Sequence, residues 1–404
     1  MRLSFKAMAL ALAILLGLTI AVPHGFAQDS RPPAGPQDIA AKERAARDLI
    51  VEALPASRAP EIYEDLRGTV REVYLPVLRD AASGNVPGMP APDAKMADVM
   101  AKLLTFLTYA LKASDEADAS AKANRDAIIA DVAALLARHA SAAEINNARE
   151  LLRMTAARKG FDTVYAASRL ATGFTYEETR SMQEFSAWAN RLGQGFSGAT
   201  PPGNGGVPSA EKIAKAQAIV NDLLRISRID DMVADTIRFL REVPLKVAPV
   251  TEEERAEYSA QLDQYEFMYT MQKGVLIAAA PAVLAAVLNE EQLAKLHDFV
   301  RSPACAKMFL LFYDVVRAAA TFTAPDIQAV QDFAAKANAN GELTPRGPEE
   351  EALAEAEWEA LRKKWSDRLM ESVSPETREG LERSMKDLQS LDVPAVPGMP
   401  EKPL

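Results

Sequence analysis

This chain repeats itself, and that limits what it can fold into. Residues 46–78 read ARDLIVEALPASRAPEIYEDLRGTVREVYLPVL, and residues 216–248 read AQAIVNDLLRISRIDDMVADTIRFLREVPLKVA. Laid together without gaps, ten of the 33 positions are identical, including Ser57-Arg58 with Ser227-Arg228 and Arg71-Glu72-Val73 with Arg241-Glu242-Val243. A second pair of blocks follows in the same order, residues 141–165 against 289–313. There Arg153, Ala156, Lys159, Phe161 and Tyr165 face Arg301, Ala304, Lys307, Phe309 and Tyr313. The first pair is offset by 170 residues and the second by 148, so the first half carries 22 extra residues. The Pro/Gly-rich stretch 84–92 is the natural place for them. Ala-rich amphipathic helices share residues by chance, but the preserved order of the blocks favours a duplicated helical unit.

Helix signals run the length of the chain and strand signals are scarce. The pattern predicts a helix over 38–54 stopped by Pro55, and another over 60–82 with Ile62, Leu66, Val70, Val73 and Val77 at three- and four-residue spacing. Two more are expected over 93–112 and 115–139, parted at Ala113-Ser114. Thr175-Tyr-Glu-Glu178 and Thr251-Glu-Glu-Glu254 are capping boxes that open helices toward Arg191 and Met271. Residues 274–288 form an uncharged run interrupted by Pro281, too short for a membrane span, and read as a buried core helix. A C-terminal helix over 348–372 has acids in its first turn and bases later, matching the helix dipole.

The ends and the middle supply the boundaries. Arg2 and Lys6, the apolar run 7–22 and Gly25-Phe26-Ala27 have the layout of a secretory signal cleaved near Ala27. With the single Cys far away at Cys305, no lipoprotein anchor is expected, and the mature chain reads as periplasmic or secreted and soluble. The expected division is signal peptide 1–27, disordered leader 28–36, first helical domain 37–195, Gly/Pro linker 196–208, second helical domain 209–340, C-terminal helices 341–390 and disordered tail 391–404. The fold class is all-α: two related helical bundles with a C-terminal helical extension. Removing 1–27 takes Arg2 and Lys6 and no acid, moving the net charge from −10 to −12. That acidity argues against nucleic acid and anionic membrane surfaces. One Cys permits no intramolecular disulfide, so stability must come from burying helix faces, which a chain 49% hydrophobic can do.

Chemistry-bearing motifs are few. His139 and His297 have no second His or Cys at ligand spacing, and no nucleophile elbow, phosphate loop or dinucleotide fingerprint is present, so no cofactor or metal is expected. Cys305 falls in the first turn of a helix capped by Ser302-Pro303, where the dipole lowers a thiol pKa, with His297 eight residues earlier. A small buried Cys packed between helices is the plainer reading. Acid pairs such as Asp230-Asp231 and Glu252–Glu254 sit near helix starts without an EF-hand pattern. Tyr258, Leu262, Tyr265 and Tyr269 share one helix face, and Trp358, Leu361 and Trp365 another; such stripes are usually core. The Trp stripe lies outside the repeat, so it either docks back on the bundle or meets a partner.

The segment Phe299-Val-Arg-Ser302-Pro303-Ala304-Cys305-Ala306-Lys307 resembles the motif Phe-Tyr-x-Ser-Pro-x-Gly-x-Lys of the exported proteobacterial proteins called domain of unknown function 2059. The resemblance covers about residues 209–320, with a degenerate echo over about 40–168. Cys305 stands where that motif has Gly, and the first copy has Met154-Thr155 in place of Ser-Pro. The resemblance implies an all-helical exported domain and transfers no catalytic residues. Phe299, Ser302, Pro303, Cys305, Lys307, Trp358 and Trp365 are therefore the candidate motif or interaction residues. The expected function is non-catalytic binding of a protein or envelope component. A carrier of a small apolar ligand, with its cavity between the halves near 265–288, is the alternative, and an enzyme ranks third. Oligomeric state is not readable.

Overall fold

A computed structural model describes residues 36–86, 91–196, 208–243, 246, 251–339 and 348–390. The expected signal peptide, nearly all of the leader, the body of the 196–208 linker and the C-terminal tail lie outside the described residues. Among those described, every regular element is helical and none is a strand. In order they are α1 (Pro36–Ala56), α2 (Ala59–Thr69), a π turn (Val70–Tyr74), α3 (Leu75–Ala82), α4 (Ala94–Ala123), α5 (Arg125–His139), α6 (Ala142–Arg153), α7 (Thr155–Thr172) and α8 (Tyr176–Phe196). The second half continues with α9 (Ala210–Ser227), α10 (Ile229–Glu242), α11 (Glu252–Val287), α12 (Glu290–Val300), α13 (Pro303–Ala319) and α14 (Ala324–Ala339). Then come α15 (Pro348–Glu371) and α16 (Pro375–Gln389).

Local chemistry explains most boundaries. The boxes Thr175/Glu178 and Thr251/Glu254 form, as do Ser141/Glu144 before α6 and Asn289/Gln292 before α12. The π turn precedes Pro76, which has no N–H to return to the carbonyl four residues back, so the ladder shifts register there. Three expected boundaries are corrected. α1 passes through Pro55 and ends where Arg58 turns left-handed. α4 runs unbroken through Ala113-Ser114, because Ala113 is buried and the Ser114 hydroxyl bonds outward to Tyr63 at 2.6 Å; the break falls at Asn124 instead. α11 continues for 36 residues through Gly274 and Pro281.

Two cores of similar make-up result. The first joins Ala46, Leu49 and Ile50 of α1 to Ile129, Val132 and Ala133 of α5 and Ile145 and Leu152 of α6. The second joins Ala216 and Ile219 of α9 to Ala285 and Leu288 at the end of α11 and Leu293 and Val300 around α12. Under the two offsets of the sequence repeat, Ala46 matches Ala216, Leu49 matches Ile219, Ile145 matches Leu293 and Leu152 matches Val300. All eight are buried.

The halves are packed together through α7 and α13, and each half ends in a helix that lies on the other. α8 packs on α13, and its Phe185 stacks on Phe299 of α12, with ring centroids 3.7 Å apart and planes 5° from parallel. α14 packs on α6 and α7. The C-terminal pair α15–α16 covers the first half alone among these contacts, α15 on α5 and α4 and α16 on α4. At Gly380 a Cβ would overlap the Tyr109 ring, so only glycine lets α16 seat this closely on α4.

Candidate functional site

Most of the residues singled out from the sequence meet at the joint between the halves, where they do structural work. Ser302 caps α13 by accepting from the Cys305 N–H at 3.2 Å, and Pro303 takes the first helical position, where its missing N–H is harmless. Cys305 is 2% exposed. Burial pushes its thiol pKa up, in keeping with the plainer reading of a small cysteine packed between helices rather than an activated thiol. His297 does not reach it. Its Nε2 lies 3.1 Å from Asp222 Oδ2 instead.

Lys307 extends from α13 to Glu178 at the start of α8, with Nζ to Oε2 at 2.8 Å. Lys159, its counterpart on α7, extends to Asp326 at the start of α14 at 2.5 Å and also donates to the Thr321 carbonyl at 2.7 Å. Each acid is also the capping acid of its helix, with Glu178 accepting from Thr175 N–H and Asp326 from Thr323 N–H, both at 2.8 Å. Burial raises both carboxyls, but the ammonium and the cap donors more than offset it and hold both below the usual range. Lys159 with Lys307, and Glu178 with Asp326, are both separated by 148 residues. The arrangement is thus reciprocal, as across a two-fold axis, where residue i meets j and j meets i.

The same correspondence extends outward. Arg58 and Arg228 are the only non-glycine residues with positive φ among those described, at 54° and 50°. Each follows a serine whose hydroxyl donates to a carbonyl three residues back at 3.1 Å. Each guanidinium lies over a tyrosine ring, Arg58 3.7 Å from the Tyr165 centroid and Arg228 4.0 Å from Tyr313. A left-handed residue with a Cβ costs roughly 1–2 kcal/mol, and a cation over an aromatic face offsets part of it. Glu52 accepts from Arg149 at 2.9 Å and from Arg153 at 2.8 Å, while Asp222 accepts from Arg301 at 2.7 Å beside His297. These bonds hold each carboxyl far below its ordinary range, at about 2. The sequence reading missed Glu52, Asp222, Glu178 and Asp326 as partners, although each pair keeps its block's offset.

The Trp stripe docks back on the molecule. Trp365 is 2% exposed and its Nε1 donates to Asp131 Oδ2 at 3.0 Å, while Trp358 and Leu361 pack against the first core. The tyrosine stripe is not core. Leu262 is buried and Tyr269 donates to Asp230 at 2.8 Å, but Tyr265 is 70% exposed. The run 274–288 is likewise not a buried helix. Pro281, Ala285 and Leu288 face protein, while Val275, Leu276 and Val283 are 66%, 59% and 57% exposed. Apolar composition implies burial on all sides, but α9 covers only one side of this helix. As an unbroken element α11 is long and apolar enough to cross a membrane by length and composition, with 11% of its most apolar 18-residue window buried.

The acid pairs are taken up locally, Asp230 by Lys273 at 2.5 Å and Asp231 by Arg228 at 2.9 Å. Among the described residues no group of three or more His, Cys, Asp or Glu is placed to hold a metal ion. A cavity of about 360 Å³ lies between Ala81, Gly84, Val86, Ala91, Met96 and Met100, at the α3–α4 connection. No family model matches the chain, and neither a curated protein nor a solved structure is detectably similar to it.

Proposed function

We propose that this chain is an exported, non-catalytic helical protein built from an internally duplicated unit, and that it works by binding a protein through the outer face of α11. The observation that carries the reading is the contrast between two corresponding helices. On α5, Leu135 is 1% exposed, and Ile128 packs against the first core, as Trp358 and Leu361 of α15 do. Their counterparts on α11, Val283 and Leu276, are 57% and 59% exposed. An exposed apolar surface of this length on a soluble protein marks an interaction site. The candidate nucleophile Cys305 is buried, and the charged groups of the joint are engaged with one another, which supports a role in binding rather than chemistry.

The paired left-handed arginines, the matched carboxylate clusters and the reciprocal lysines support the duplication. Export rests on the signal-like residues 1–27, and the resemblance of 209–320 to domain of unknown function 2059 points the same way. The test places a photo-crosslinking side chain at position 276 or 283 in the full chain in its native host. Higher-mass protein adducts from both positions are expected. No adduct from either would overturn the reading.

A further inference from the structure

Resting on the reading of α11 as the binding surface, we infer that its occupant is a second copy of this chain, with the two α11 helices packed antiparallel about a two-fold axis. The first half shows what its own cover requires. α15 anchors on α5 by giving Trp365 Nε1 to Asp131, and the α15–α16 turn anchors on α4 by giving the Ser374 N–H and Thr377 hydroxyl to Glu116. The α11 positions matching Asp131 and Glu116 are Ala279 and Gln264, so a tryptophan-bearing helix of the α15 kind finds no carboxylate there. The cover for α11 must be a surface that needs no acceptor.

α11 itself is such a surface. Its mid-helix charges turn toward α10, with Asp263 and Glu266 on Arg241 and Lys273 on Asp230. Residues 274–287 contain no charged side chain at all. A self-complementary interface favours this, because a charge near a two-fold axis meets its own copy. The exposed positions Tyr265, Met268, Gln272, Val275, Ala279 and Ala282 recur at alternating three- and four-residue steps, the spacing of a helix-packing seam. That seam is bulky at its start and small at its end. Antiparallel pairing centred between Gln272 and Val275 sets Tyr265 and Met268 of one copy against Ala282 and Ala279 of the other, bulk into space. Parallel pairing would set tyrosine on tyrosine. A lipid surface fits less well: the helix opens on Glu252, Glu253 and Glu254, where an anionic membrane favours Lys and Arg.

Sedimentation of the purified full chain should show a monomer–dimer equilibrium that Val275→Glu shifts toward monomer by tenfold or more, with unchanged helicity. Mixing Val275→Glu with Val275→Lys should restore pairing. In a Cys305→Ala background, Met268→Cys mixed with Ala279→Cys should crosslink on oxidation. Met268→Cys alone should not, its two copies lying about 16 Å apart along the seam. A monomeric wild type, an unaltered Val275→Glu dimer or a crosslink from Met268→Cys alone would overturn the inference, as would flotation of the wild type, but not Val275→Glu, with anionic phospholipid vesicles. A monomer that still yields adducts from positions 276 and 283 sinks the second copy and spares the binding surface. No adduct at all sinks both.

Discussion

The two halves of this protein have matching cores and opposite surfaces. In the first, α5 is sandwiched between α1 and α15, and the side chains on both of its flanks are dry. In the second, α11 meets α9 and α10 and leaves its outer face, with Leu276 and Val283, bare. The difference does not come from the core pattern, which is shared, but from where the chain spends its one C-terminal helix pair. A covered helix in one half and an uncovered one in the other, over cores of the same make-up, show which face the core itself leaves unsatisfied.

That contrast can be broken by experiment. Leu135→Ala and Trp365→Ala remove apolar bulk from a closed layer, and each should cost about 2–5 kcal/mol by chemical denaturation. Equal costs for Leu135→Ala and Val283→Ala would mean that the two faces are not differently covered. At the joint, Lys307→Met and Lys159→Met each strand an acid that is partly buried, for an expected loss of about 1–2 kcal/mol apiece. If the reciprocal arrangement is real, the two losses should be similar; a large loss from one and none from the other would refute it.

The carboxylate clusters allow a test by pH. Glu52 and Asp222 have folded pKa values near 2, below their ordinary 4.5 and 3.8. A depressed folded value stabilises the protein above the unfolded pKa and is lost as pH falls through the folded one. The denaturation midpoint should therefore fall between about pH 4.5 and 2, and Glu52→Gln with Asp222→Asn should flatten that fall in steps of similar size. A slope left unchanged by either substitution would remove the equivalence of the clusters. The smallest effect belongs to Val283→Ala, within about 0.5 kcal/mol in the monomer because its side chain already faces water.

How much of this was legible in the sequence follows from the range of each interaction. Capping boxes span three residues, so Thr175 with Glu178 and Thr251 with Glu254 could be read directly, as could the Ser302-Pro303 helix start. The all-helical class follows from patterning of the same short range. Arg58 and Arg228 gave no warning of their left-handed backbone, because the usual signal is glycine and here an aromatic ring over a hundred or eighty-odd residues away supplies the compensation. Lys307 finds Glu178 across 129 residues of chain. No local rule reaches that far, although the shared 148-residue offset would have flagged the four residues of the joint together. The exposure of α11 is not legible in the sequence, because hydrophobicity says that a surface prefers to be covered, not that anything in the same chain covers it.

The crossing of α8 and α14 onto opposite halves alters what the connection between Phe196 and Ser209 is for. Its severance would divide the polypeptide without dividing the body. Each fragment would keep a helix clasped by the other, α8 on one side and α14 on the other, and the pair would behave as two unlike subunits of one complex. The α7–α13 packing would do the holding, with the lysine clasps and the Phe185–Phe299 stack beside it.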